Sequence, residues 1–312
     1  MPSIPSLRVA LITGASLALL AGCGNSSDSD SDGKNAANSS ASSKVTVVAS
    51  TNVYGDITEE IGGDKVDVTS IISDPEQDPH SYEASTQNQL ALSKAKVVIE
   101  NGGGYDDFID RMLKSSDNSG AQKINAVQVS GRTAPKGEEL NEHVWYDFPA
   151  VSKLADRIAA ALGKADSANA AAYTKNAEAF KAKLTALETK EADIKKVHAG
   201  EGVGITEPVP LYLTEAAGLE NRTPDEFSEA IEEGDDVSPK ILQETLKLYS
   251  DKKVKVLVYN EQTSGPQTEK VKKAAEDAGV PVVPVTETLP EGKDYLGWMT
   301  ANVDALAAAL NK

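Results

Sequence analysis

The chain is poor in the residues that most metal and redox chemistry relies on: it has one cysteine and three histidines in 312 residues, and aromatic side chains make up only 5%. The lone thiol, Cys23, excludes an internal disulfide and any thiolate zinc site of the finger or ribbon kind. Basic charge is also scarce. Lys and Arg number 31 against 48 Asp and Glu, a net charge of −17 at pH 7. Binding to phosphate backbones needs a basic footprint, so nucleic acid is excluded as a partner. No HExxH helix, G-x-S-x-G elbow or phosphate-cradling loop occurs, and Gly102-Gly103-Gly104 lacks the Rossmann spacing and its later acidic partner. Few arginines and two tryptophans leave little with which to clamp and stack an organic solute. What remains is a chain with 40% hydrophobic residues, long enough for one large or two medium domains. Its acidity suits the handling of cations.

The first 43 residues read as a leader and a tether. Arg8 precedes the apolar or small stretch Val9–Ala21, about a dozen residues and too few to span a bilayer of about 30 Å. Residues 1–22 are therefore expected to be a signal peptide. The end of this stretch, Leu20-Ala21-Gly22-Cys23, resembles the lipobox of bacterial lipoproteins, which implies cleavage before Cys23 and a lipid on its thiol. Residues 24–43 contain no large apolar side chain and cannot offset their chain entropy by burial. They predict a flexible tether with a reach of roughly 25 Å.

From Lys44 onward, β-branched runs alternate with helical patterns. Strands are expected at 45–49, 66–72, 96–100, 124–129, 203–206, 254–259 and 280–286. Helices are expected near 52–62, 85–94, 105–115, 149–162, 209–218, 238–250, 266–278 and 292–310. Between the two sets, Tyr173, Phe180, Leu184, Leu187, Ile194 and Val197 form one apolar stripe, uninterrupted by Gly or Pro. The expected fold is α/β, with two lobes, each a mostly parallel sheet flanked by helices, joined by one long backbone helix. The lobes are expected at 44–165 and 199–312, with the linking helix at 166–198. A partner helix packed on the stripe as a coiled coil is the alternative the pattern leaves open.

Ligands of open α/β sheets bind beyond the carboxyl ends of the strands. Four candidate ligands follow strands in this way, each of which could also be a solvated loop residue or a helix cap. His80 lies in the stiff run Asp74-Pro75-Glu76-Gln77-Asp78-Pro79, after 66–72, and His143 in the loop after 124–129. Glu207 directly follows 203–206, and Glu287 directly follows 280–286. Glu261, Glu291 and Asp294 are rivals for the last position. His198 ends the long helix, where a cation complements the dipole, and is assigned a structural role.

The pieces Asp78-Pro79-His80-Ser81-Tyr82-Glu83 and Asn141-Glu142-His143-Val144-Trp145-Tyr146-Asp147 resemble the two histidine motifs of the zinc- and manganese-binding receptor lipoproteins of bacterial ABC importers. Val97–Gly103 resembles that family's strand-and-asparagine motif, and Ile205-Thr206-Glu207-Pro208 through Tyr212 its third ligand motif. Thr286-Glu287 with Tyr295, Met299 and Asn302 resembles the last one. The likeness runs over residues 44–312. It implies a receptor that binds one Mn²⁺ or Zn²⁺ between two lobes through His80, His143, Glu207 and Glu287. It further implies a monomer, lipid-anchored through Cys23 on the outer face of the cytoplasmic membrane, that delivers its ion to a permease and is not an enzyme. Zinc members of the family usually carry a third histidine where this chain has Glu207, and often a His-rich loop that is absent here; the fourth position is commonly aspartate. Two carboxylates suit Mn²⁺, whereas the general affinity order favours Zn²⁺, so both ions stay open. A secreted metal-dependent hydrolase and a surface adhesin lipoprotein are the alternatives.

Overall fold

Strands covered on both faces read as near-continuous hydrophobic runs, and Val97–Glu100, Gly202–Ile205 and Val256–Asn260 are buried at every position. The computed structural model describes residues 44–74, 77, 82, 83, 85–134 and 140–312. The leader, Cys23, the tether and His80 lie outside the described residues.

The first sheet consists of β1 (Val45–Thr51), β2 (Val66–Ile72), β3 (Val97–Glu100) and β4 (Gln122–Asn125), in the order β2-β1-β3-β4. The second consists of β5 (Gly202–Ile205), β6 (Glu220–Asn221), β7 (Val256–Asn260) and β8 (Val282–Val285), in the equivalent order β6-β5-β7-β8. All six pairings are parallel. The crossovers run through α1 (Asn52–Gly62), α2 (Thr86–Lys94) and α3 (Phe108–Ser116) in the first half. After β4 come α4 (Ala126–Ser130), α5 (Phe148–Ala165) and α6 (Ala170–His198). The second half adds α7 (Leu211–Ala216), α8 (Asp225–Glu232), α9 (Pro239–Ser250), α10 (Pro266–Asp277) and α11 (Tyr295–Leu310). The expected α/β class, with two parallel sheets joined by a long helix, is what forms.

Period-2 alternation divides the core. Val47, Val97, Val203, Val256 and Val258 face one continuous apolar cluster that also takes in Phe180, Leu184 and Trp298. Their neighbours Val48 and Val98 face a second cluster with Ile109 and Met112, and Leu257 and Tyr259 a third with Tyr249 and Val271. Helix α6 has 29 residues, about 44 Å at 1.5 Å each. It packs on α1 and α5 in the first half and on α7 and α11 in the second. Its buried stripe runs Tyr173, Ala177, Phe180, Leu184, Leu187, Glu191, Ile194 and His198, alternating steps of four and three.

Two local expectations are corrected. The stripe ends on His198, paired with Glu201 at 3.1 Å, while Val197 is 72% exposed because it falls one residue out of the alternation. The strand expected over 124–129 stops at Asn125. That side chain accepts the Gln128 N–H at 2.9 Å and caps α4, so Ala126–Ser130 is helical despite its β-branched residues.

Candidate metal centre

Strand order reverses between β1 and β3 and again between β5 and β7, so each sheet opens a crevice at those carboxyl ends. In the second sheet the residues at that point are Glu207, just past β5, and Asn260, the last residue of β7. The Thr206 hydroxyl accepts the Asn260 N–H at 2.9 Å and ties the two strand ends together. The Asn260 side-chain amide then donates to Glu207, to Glu287 Oε1 at 2.8 Å and to Thr263 Oγ1 at 2.9 Å. Two amide hydrogens thus serve three acceptors, two of them carboxylates. Glu287 is held from behind by Gln262, whose side-chain oxygen accepts the N–H groups of Glu287 at 2.5 Å and Thr288 at 2.9 Å.

The first half supplies the imidazole. Asn101, fully buried after β3, donates to the Glu142 carbonyl at 3.0 Å and accepts from the Tyr54 hydroxyl. Asp106 closes the turn from below by accepting the N–H groups of Asn101 at 2.6 Å and Gly102 at 2.8 Å. Burial raises the Asp106 carboxyl to about 6 even so. Gly102 has φ +78° and a Cβ there would meet the Asn125 side chain at 2.1 Å, so the turn requires glycine. This joint fixes the Asn141–Trp145 segment.

His143 is 1% exposed. Its Nδ1 lies 2.7 Å from Asn141 Oδ1. The Asn141 amide orientation is set by donation from its Nδ2 to the Pro208 carbonyl at 3.1 Å, so Oδ1 accepts and Nδ1 carries the hydrogen. The lone pair is then on Nε2, the tautomer a metal ligand needs. Tyr212 donates to the Asn141 carbonyl at 2.6 Å. Asn141 therefore joins the imidazole to the strand end that carries Glu207.

Other bonds draw the two halves together at the same place. Tyr105 donates to Glu287 Oε2 at 3.4 Å and packs edge-on to the His143 ring. Tyr146 donates to the Thr286 carbonyl at 2.7 Å, and Tyr295 to the Trp145 carbonyl at 2.6 Å. Asn52 and Leu289 exchange two hydrogen bonds.

Three of the four ligand positions expected from sequence therefore line one region: Glu207 and Glu287 on a shared amide, and His143 facing them from the first half. The fourth, His80, is outside the described residues. The rivals Glu261, Glu291 and Asp294 are all exposed, and Asp294 caps α11 by accepting the Gly297 N–H at 2.6 Å. The sequence reading missed two acids. Glu232 Oε1 lies 3.4 Å from His143 Nε2, and Glu142, His143 and Glu232 bring donor atoms within 4.8 Å of one another. Burial, then the charges of Glu142, Glu207, Glu287 and Glu233, raise the Glu232 carboxyl to about 9. Glu232 escaped a search along strand ends because it ends a helix. The signal was Phe227 and Ile231, an i,i+4 apolar pair that seats α8.

An imidazole presenting Nε2 beside Glu142 and Glu232, with the charges of Glu207 and Glu287 close by, offers the donor set of a divalent-cation site. The chain belongs to the family described as zinc-uptake complex component A, periplasmic, whose model matches residues 47–309. A manganese ABC transporter substrate-binding lipoprotein of Streptococcus gordonii is 27% identical over 293 residues, covering 88% of this chain and 91% of its own. The structure of FpvC from Pseudomonas aeruginosa in complex with Mn²⁺ superposes with a TM-score of 0.72 at 26% identity, covering 86% of this chain and 98% of that one. The periplasmic zinc-binding protein TroA of Treponema pallidum shares the fold, with a TM-score of 0.71 at 20% identity, covering 86% and 99%.

Proposed function

We propose that this protein captures one divalent transition-metal ion, Mn²⁺ or Zn²⁺, outside the cytoplasmic membrane and delivers it to the permease of an ABC importer. What supports this reading is that the buried His143 ring and the Glu287 carboxylate, from opposite halves of the chain, both contact Tyr105, while Asn260 ties Glu287 to Glu207. His80 completes the ligand set on the strength of its sequence motif. Glu207 and Glu287 offset the charge of the ion, and their oxygens suit Mn²⁺ as well as Zn²⁺. The work is capture and release without turnover, by a monomer. Cys23 holds the receptor to the outer face of the membrane through a lipid, with the tether of residues 24–43 standing the folded part off the surface. Residues 44–165 and 199–312 act as the two lobes, and residues 166–198 as the link between them.

Elemental analysis of protein purified from its native envelope without chelators should find one Mn or Zn per chain. His80→Ala and His143→Ala should each remove it. Stoichiometric metal retained in both variants would place the ion elsewhere and end this reading.

A further inference from the structure

The ligand set above uses one carboxylate just after β5 and one just after β8. An acid 3.4 Å from His143 Nε2, however, comes from a helix. We propose that Glu232 is a further ligand of the captured ion and biases the site toward Mn²⁺ over Zn²⁺; this rests on the metal-receptor reading above.

The distances fit an ion shared with His143. Two donors each about 2.1 Å from one ion lie roughly 3.0–3.5 Å apart at angles between octahedral and tetrahedral. Glu232 Oε1 is 3.4 Å from His143 Nε2, the nitrogen that carries the lone pair. The carboxylate can therefore join the ion without rearrangement.

The position of Glu232 is built, not incidental. Phe227 is fully buried and Ile231 is 8% exposed, both in the cluster with Tyr249, Val254 and Leu257. The helix then ends on Gly234, with φ +72°, the Gly234 N–H bonding to Ile231 O at 3.1 Å and the Asp235 N–H to Ala230 O at 2.7 Å. Glu232 is thus locked in the last turn with its side chain only 16% exposed. A carboxylate there opposes the helix dipole, and its Oε1 is buried without a hydrogen bond. A divalent cation held between Glu232 and His143 offsets each of these penalties.

The consequence is selectivity. Zn²⁺ is satisfied by four donors in a tetrahedron, whereas Mn²⁺ takes a larger, oxygen-rich shell. An added carboxylate therefore contributes more to Mn²⁺.

The test is competitive titration of the full chain with MnCl₂ and ZnCl₂ against a chelator. Glu232→Gln should weaken Mn²⁺ binding about tenfold or more and Zn²⁺ binding less than about threefold, and Glu232→Asp should recover part of the Mn²⁺ affinity. X-ray absorption at the manganese edge should show one oxygen fewer in Glu232→Gln than in the wild type. Equal losses for both ions, no loss for either, or a larger shift from Glu142→Gln would each overturn the proposal. If the Gln variant does not fold, the wild-type spectrum decides: a four-coordinate manganese shell overturns the proposal and a larger shell supports it. Failure of the receptor reading looks different, since the wild type would then bind no ion.

Discussion

The two walls of the candidate site are made in opposite ways. On the first-half side, His143 sits against Trp145 and Tyr105, with Tyr54 and Tyr146 behind them. Close-packed aromatic rings fix the imidazole, and a neutral amide fixes its tautomer. On the second-half side, Glu207, Glu232 and Glu287 meet with a single amide, Asn260, shared between two of them. One wall is held by packing and neutral hydrogen bonds that need no ion. The other brings like charges together and is relieved by a cation. The carboxylates thus supply most of the attraction for a cation, while the imidazole supplies a fixed point for it.

Substitutions on each wall should separate these contributions. The largest effect expected is from His143→Ala, a loss of metal affinity beyond about 100-fold by calorimetry, since a ligand itself is removed. Asn141→Ala leaves the imidazole in place but frees its tautomer and orientation, and should cost about 10–100-fold. Lowering the pH from 7.5 to 5.5 should weaken binding, because imidazole ligates only in its neutral form and protons compete with the metal for its ligands. An affinity flat across that window would remove the histidines from the site.

On the carboxylate wall, Asn260→Ala should lower apo stability by about 1–3 kcal/mol, because Glu207 and Glu287 lose a shared donor. Bound metal should recover much of that loss, so the metal-induced rise in Tm should be larger in the variant than in the wild type. The smallest effect expected lies outside the site. Glu191 is buried on α6, and burial, then Glu188 and Asp147, raises its carboxyl to about 8. The native state then holds a proton that the unfolded chain releases near the usual carboxylate pKa, so stability falls as pH rises through the interval between the two. Glu191→Gln should raise Tm at pH 8 by the equivalent of about 1 kcal/mol and change it little at pH 4, which thermal unfolding at both values would check.

Much of this molecule was legible in the chain itself. Val97–Glu100, Val256–Asn260 and the stripe of α6 announce their elements because strands buried on both faces and a helix buried on one leave periodic traces. Glu207 and Glu287 were singled out because parallel sheets put ligands after strands. Two things hid from that logic. Residues 126–130 carry β-branched side chains yet are helical, since the Asn125 cap outweighs a weak propensity. Glu232 belongs to a short helix with two apolar anchors, too brief a period to mark it.

Local order and the alternation of strand and helix are properties of sequence, because backbone geometry turns spacing directly into faces and ends. The neighbours of His143 are not. Asn141 reaching Pro208, Asn260 dividing its amide between two acids, and Glu232 standing opposite an imidazole 89 positions earlier in the chain all depend on how two separately formed sheets dock along one helix. Such contacts join residues far apart in the chain through packing, and packing leaves no periodic mark in the sequence of either partner.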